Sequence, residues 1–376
     1  MTLFHRSFGP CNLPPLLLLH GLLGSSRNWI TVGKALGYFR RTYALDLRNH
    51  GLSPHADSQE WDESVDDIQL WMNRHQIPRG TLLGHSLGGK IAMRLACRHP
   101  ERVSELIVVD VAPRQHSPRQ AMFSALLELD LHAIQTRREA ESSLHSAFED
   151  TRFLRFLLTN LERTKKGTLR WQPNLQTLAS QTSLFESGLD PQDRFEGPTR
   201  FLVGSRSDYV RPEDHQTIKK HFPRAQIQVL PDCGHIPHAE QPATFLAAVI
   251  QFLEDNRYAK GDPTPLLHLT TRSDWDEQID SSNYIPAAFT SDGFVHCSTK
   301  HQILDVAHRR FLGRTDLLLL CIDPKRLSVR PIWENLEGGL PPYPHLYAPI
   351  ERDSIYAVLE FSPSPDGRFE LPSTLG

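Results

Sequence analysis

Several things are missing from this sequence. Its five cysteines (Cys11, Cys97, Cys233, Cys297 and Cys321) are scattered, odd in number and never spaced C-x-x-C. That argues against a disulfide framework and for reduced thiols in the cytoplasm. Long apolar runs are absent: Leu16-Leu17-Leu18-Leu19 is four residues, far short of a signal-peptide core or a membrane span. A basic excess is absent too, with 41 Lys+Arg against 44 Asp+Glu, so no nucleic-acid partner is expected. Metal-ligand clusters are missing as well. His235-Ile236-Pro237-His238 comes nearest, and a proline inside the spacing disfavours a shared helical face. No internal repeat and no low-complexity tract stands out.

What remains is an ordinary globular composition. A hydrophobic fraction of 39% and mean hydropathy of −0.39 supply a large core without the apolarity of a membrane protein. The 376 residues suggest two domains. The 28 prolines predict many turns and some irregular connections.

The first two-thirds alternates short apolar runs with helix-like stretches. Predicted strands are Leu16–Leu19, Tyr43–Leu47, Thr81–Leu83, Leu106–Val109, Arg200–Val203 and Ile227–Leu230. Each is a nearly continuous apolar run, as a strand buried on both faces of a parallel sheet requires. Trp29–Leu36, Val65–Trp71, Lys90–Cys97 and Thr244–Leu253 have helical spacing. The alternation predicts an open α/β sheet with helices on both faces. It stops over about 114–197, which reads as a helical insertion with helices near Ala121–Leu131 and Phe153–Leu161. By analogy with other α/β folds, such an insertion caps an active site. Turn residues and two prolines at 257–265 read as a linker, which makes 1–256 one domain. Residues 266–376 carry an acidic excess and read as a smaller α+β domain. Its apolar runs are Leu266–Leu269, Phe294–Val295, Leu317–Ile322 and Ile355–Phe361, with a helix near Gln302–Phe311.

Chemistry concentrates in Gly84-His85-Ser86-Leu87-Gly88, a G-x-S-x-G between a predicted strand and a predicted helix. There, two glycines allow a strained turn that projects the serine hydroxyl out of the sheet. A serine needs a base. His235, in Cys233-Gly234-His235 after the last predicted strand, falls where the chain order Ser…Asp…His puts one. Two carboxylates compete to orient that imidazole. Asp110 ends the run Leu106–Val109, and Asp208 follows the next strand. The apolar flanks of Asp110 would make an unpaired charge costly, which favours it for a paired role. Asp208 otherwise reads as a solvated turn residue. The amides of Leu87 and of Leu22, in His20-Gly21-Leu22-Leu23-Gly24, are the candidate oxyanion donors.

Five stretches in order also carry a family resemblance. They are His20–Ser25, Asp46–Ser53, Gly84–Lys90, Val109–Pro113 and Gly234-His235 with His238-Ala239-Glu240. Residues 13–253 resemble the α/β-hydrolases, and among them the ybfF-type esterases and their mitochondrial relatives. The resemblance implies hydrolysis of carboxylic esters or thioesters with no cofactor, and the ligand spacing above gives no metal. It also implies Asp110 as the acid, although the wider superfamily more often places it one strand later, at Asp208. The Asp46–Ser53 segment then reads as a structural loop, with Arg48 and His50 bonding backbone.

Residues 266–362 resemble the domain of unknown function 952. The matching stretches are His268–Thr270, Asp292–Thr299, Trp333-Glu334 and Pro344–Tyr347. That family looks like ADP-ribosyltransferases in fold, which implies a nucleotide-like pocket at His268, Ser298 and Glu334. Two alternatives to a serine esterase stand: a main activity in this second domain on NAD or ADP-ribosyl groups, and a hydrolase fold used as a binding scaffold. The expected partner is a small-molecule ester or thioester, with no nucleic acid and no membrane. The sequence does not fix the oligomeric state.

Overall fold

The computed structural model describes residues 1–375 except 117–119, 149, 166, 182–186 and 337. The chain divides into two compact units, Met1–Gln241 and Pro242–Gly376.

In the first unit, β1 (His5–Phe8), β2 (Pro15–Leu19), β3 (Arg41–Leu45), β4 (Gly80–His85) and β5 (Val103–Val109) precede the insertion. Within the insertion lie β6 (Leu161–Arg163) and β7 (Leu169–Trp171). After it come β8 (Thr199–Gly204) and β9 (Ala225–Leu230). The main sheet has seven strands in the order β1-β3-β2-β4-β5-β8-β9. All of its pairings are parallel except β1 with β3. The central strands are apolar because both faces are covered: Leu16–Leu19, Leu82, Leu83 and Leu106–Val109 are fully buried.

The differences from the sequence reading have local causes. β1, with one apolar residue in four, is the edge strand beside β3 and carries no buried-strand signature. β9 is an edge as well, and Val229 on it is 57% exposed. The insertion is not purely helical. Helices Gln120–Glu128, Arg137–Leu144, Thr151–Leu158 and Leu175–Ser180 are joined by the hairpin β6–β7, whose three-residue strands are too short to leave a period. Some insertion residues, 182–186 among them, lie outside the described residues.

The helix expected over Thr244–Leu253 runs from Pro242 to Ala259, into the expected 257–265 linker. It groups with the second unit, so the compact units part at Gln241/Pro242 rather than at 257–265. The second unit also holds β10 (Leu266–Thr271), β11 (Asn283–Tyr284), β12 (Val295–His296), β13 (Leu317–Ile322), β14 (Ile332–Glu334), β15 (Tyr343–Leu346), β16 (Ile350–Glu351) and β17 (Ile355–Glu360). They form antiparallel sheets β10-β13-β17, β12-β15-β14 and β11-β16, with the helix Ile303–Arg310 near where one is expected. No helix among the described residues is long and apolar enough to cross a membrane.

Candidate active site

β4 ends at His85, and the helix Leu87–Arg98 begins two residues later. Ser86 between them has φ 50° and ψ −114°, a conformation a non-glycine residue adopts only at the cost of about 1–3 kcal/mol. The strain sits on the serine itself. The flanking glycines serve close approach instead: a Cβ on Gly84 would lie 2.2 Å from the Gly88 carbonyl oxygen, and one on Gly88 2.4 Å from that of Leu19. The turn thus leaves no room for a side chain at either glycine, and Ser86 lines the cavity between His85 and Leu87.

His235 comes from the irregular segment after β9. One ring nitrogen, Nε2, lies 3.1 Å from Ser86 Oγ, and the other, Nδ1, lies 2.8 Å from Asp110 Oδ2. A carboxylate only accepts, so Nδ1 carries the proton and Nε2 faces the serine as an acceptor. Asp110 follows β5, with φ 50°, and is wholly buried. Its Oδ1 accepts the Gly204 N–H at 2.9 Å, and its Oδ2 accepts the Ser207 hydroxyl as well as the imidazole. Burial pushes the Asp110 carboxyl up to about 6, against the pull of those two hydrogen bonds. Asp208 is elsewhere: its side chain is 80% exposed and pairs with Arg211 at 3.4 Å.

The sequence reading passed over four further groups. Tyr209 stacks on the His235 ring at 3.6 Å and 18°. Ser207, the residue before Asp208, donates its hydroxyl to Asp110. Glu240 accepts the N–H of Gly234 at 3.1 Å and of Ile236 at 3.3 Å. His85 reaches the His235 carbonyl. His85 and Glu240 lie within the stretches Gly84–Lys90 and His238–Glu240, but the task of each of the four shows only in the contacts the folded chain makes.

Leu22 and Leu87 both line the cavity that holds Ser86. Among the described residues neither main-chain N–H has an acceptor. A Cβ on Gly21 would come within 3.3 Å of Ser86 Cβ, so the Leu22 segment lies directly against the serine. The cavity is about 1170 Å³. Met122, Phe153 and Phe156 of the insertion line it together with Leu22, Val111 and Ile236, and Arg152 and Arg206 add charge to its lining.

Arg48 and His50 stand outside this cavity lining. His50 bonds backbone as expected, at the Arg48 carbonyl. Arg48 also bonds backbone, at the Glu63 carbonyl at 3.3 Å, and in addition pairs with the carboxylates of Asp67, at 2.7 Å, and Glu63.

In the second unit, the His268 ring bonds the His296 carbonyl at 2.7 Å, and Ser298 exchanges backbone hydrogen bonds with Leu267. Glu334 takes hydrogen bonds from His345, at 3.1 Å, and from Tyr347. His268, Ser298 and Glu334 are not bonded to one another. His296 and His345, opposite each other on β12 and β15, lie between their separate networks.

Comparison with known proteins places both parts of the chain in families. Residues 16–249 match the model of the alpha/beta hydrolase family, and residues 269–358 match that of a protein family of unknown function, DUF952. The sn-1-specific diacylglycerol lipase ABHD11 of Mus musculus is 36% identical over 255 residues, spanning 65% of this chain and 82% of that protein. Esterase YbfF of Escherichia coli is 29% identical over 249 residues, spanning 65% of this chain and 94% of that protein. A solved structure described as a marine microorganism esterase superposes with a TM-score of 0.65 at 34% identity, covering 67% of this chain and 99% of that one. With a strand order, an elbow serine and a family match that all coincide over the same residues, this chain belongs to the alpha/beta hydrolase family.

Proposed function

We propose that the chain is a serine hydrolase that cleaves carboxylic esters or thioesters through an acyl-enzyme on Ser86. The observation that carries this reading is the single imidazole of His235 bridging Ser86 Oγ and Asp110 Oδ2. His235 Nε2 takes the Ser86 hydroxyl proton as Oγ attacks the acyl carbon. The carbonyl electron pair moves onto oxygen, where the Leu22 and Leu87 N–H groups donate to it. Asp110, ionised, stabilises the imidazolium that forms. The tetrahedral adduct collapses, and His235 returns the proton to the departing alkoxide or thiolate. Water, deprotonated by His235, then attacks the acyl-enzyme and releases the acid and Ser86.

Names of relatives support the same chemistry: a diacylglycerol lipase and an esterase acting on esters. A cavity of about 1170 Å³ walled by Phe153, Phe156 and Met122 suits a bulky apolar acyl or alcohol group rather than an acetyl ester. We take the hydrolase domain to be residues 1–256, linked through 257–265 to the smaller domain, and its site of action to be the cytoplasm. The test is a fluorophosphonate probe on the wild type and on Ser86→Ala. Labelling of the wild type that vanishes in the variant is expected, and labelling that persists moves the nucleophile elsewhere.

A further inference from the structure

A base that works at 3 Å must have its backbone held as firmly as its ring. His235 sits in a segment with no regular structure, just after Asp232 at φ 54°. Its backbone is nevertheless pinned from both sides. On one side Glu240 accepts the N–H groups of Gly234 and Ile236. On the other, the His235 carbonyl oxygen lies 2.7 Å from Nε2 of His85. A carbonyl only accepts, so His85 Nε2 carries a proton and donates it.

His85 is also the residue covalently joined to Ser86. Its ring is buried, with the His235 and His238 rings each 4.8 Å away and His238 stacked on Trp29 at 4.3 Å. A Cβ on Gly21 would approach its Nδ1 to 2.8 Å, so the Leu22 segment lies against the same ring. One imidazole thus touches the three segments that carry Ser86, His235 and Leu22. Burial holds both His85 and His238 well below the usual imidazole range, so neither puts a positive charge beside His235 to oppose its protonation.

We propose that His85, the residue before the serine in the G-x-S-x-G turn, is a positioning residue: its Nε2–H···O bond to the His235 backbone sets the spacing between nucleophile and base. The proposal rests on reading Ser86 as nucleophile and His235 as base. It gives the residue before the serine a task in the reaction beyond filling the end of β4, and makes Glu240 its counterpart on the opposite side of the loop.

The experiment uses the full chain, p-nitrophenyl butyrate and the variants His85→Leu and His85→Gln, with melting curves for each. Leucine removes the donor, and glutamine keeps an N–H donor in a chain of similar reach. His85→Leu is expected to lower kcat roughly 10–100-fold while KM stays within about threefold. His85→Gln is expected to recover kcat to within about fivefold of the wild type. A leucine variant with wild-type kcat overturns the proposal, and so does a glutamine variant as impaired as the leucine one. If the leucine variant fails to melt cooperatively, the folded glutamine variant decides alone: kcat near the wild type supports the bond, and a large loss overturns it. Fluorophosphonate labelling separates this from the underlying reading. Labelling that survives Ser86→Ala removes the nucleophile assignment itself. Labelling confined to Ser86, with His85→Leu reacting at the wild-type rate, removes only the role of His85.

Discussion

At the scale of single residues, the site depends on a charge placed where charge is costly. Asp110 is wholly buried, and that burial pushes its carboxyl up to about 6 from the ordinary 3.8. The folded state therefore holds this proton more tightly than the unfolded chain. The cost of ionising it is absent below about 3.8 and complete above about 6. Two units correspond to about 3 kcal/mol at most. Asp110→Asn is thus expected to be more stable than the wild type at pH 7.5 by up to about 3 kcal/mol, with the difference shrinking toward pH 4. Urea unfolding at the two pH values measures this, and a pH-independent difference would contradict it. The same ionisation sets activity: kcat/KM is expected to fall as pH drops through about 6, when the protonated acid no longer stabilises the imidazolium. Steady-state hydrolysis by Asp110→Asn should drop by a factor on the order of 10³–10⁴, whereas Asp208→Asn, at an exposed surface ion pair, should stay close to the wild type. The opposite ranking would move the acid to Asp208.

At the scale of elements, the turn between β4 and the helix Leu87–Arg98 is defined by what cannot fit. A methyl on Gly88 meets the Leu19 and His20 carbonyl oxygens at 2.4 and 2.6 Å, all of them backbone. Gly88→Ala is expected to lower stability by about 1–3 kcal/mol or more, read as a shift in the denaturation midpoint, because neither partner can yield. The helix Thr151–Leu158 supplies both Phe153 and Phe156 to the cavity, at the i, i+3 spacing that puts them on one face. Phe153→Ala together with Phe156→Ala should raise KM for octanoyl esters several-fold, by losing apolar contact, and leave acetyl esters nearly unchanged. Equal effects on both esters would mean the helix does not contact the acyl chain.

At the scale of the whole molecule, the compact units and the linker disagree over one helix, Pro242–Ala259. Its buried residues, Phe245, Leu246, Val249, Ile250, Phe252 and Leu253, extend beyond a single stripe, the pattern of a helix covered on more than one side. The family model ends at 249, inside this helix. A chain ending at Asn256 is expected to hydrolyse the same ester as the full chain, and one ending at Gln241 to lose that activity. An active chain ending at Gln241 would show that hydrolysis does not need the helix.

The G-x-S-x-G turn, the position of His235 after the last strand and the buried runs of β2, β4, β5 and β8 were legible because each is a local pattern: glycine where nothing else fits, and continuous apolar residues where two faces are covered. The strand β9 was legible as Ile227–Leu230 but not as an edge, whereas β1, with one apolar residue, and the hairpin β6–β7, with three-residue strands, were invisible because so few apolar positions set no period. The sequence narrowed the carboxylate on His235 to two candidates and favoured Asp110. Only folding could bring one of them, with Ser207, onto a ring 125 positions downstream. The same holds for His85, Tyr209 and Glu240 around that ring. A chain encodes its turns and burial in neighbouring residues, but the partners of a side chain are set by which distant segments pack together, and that information exists only in three dimensions.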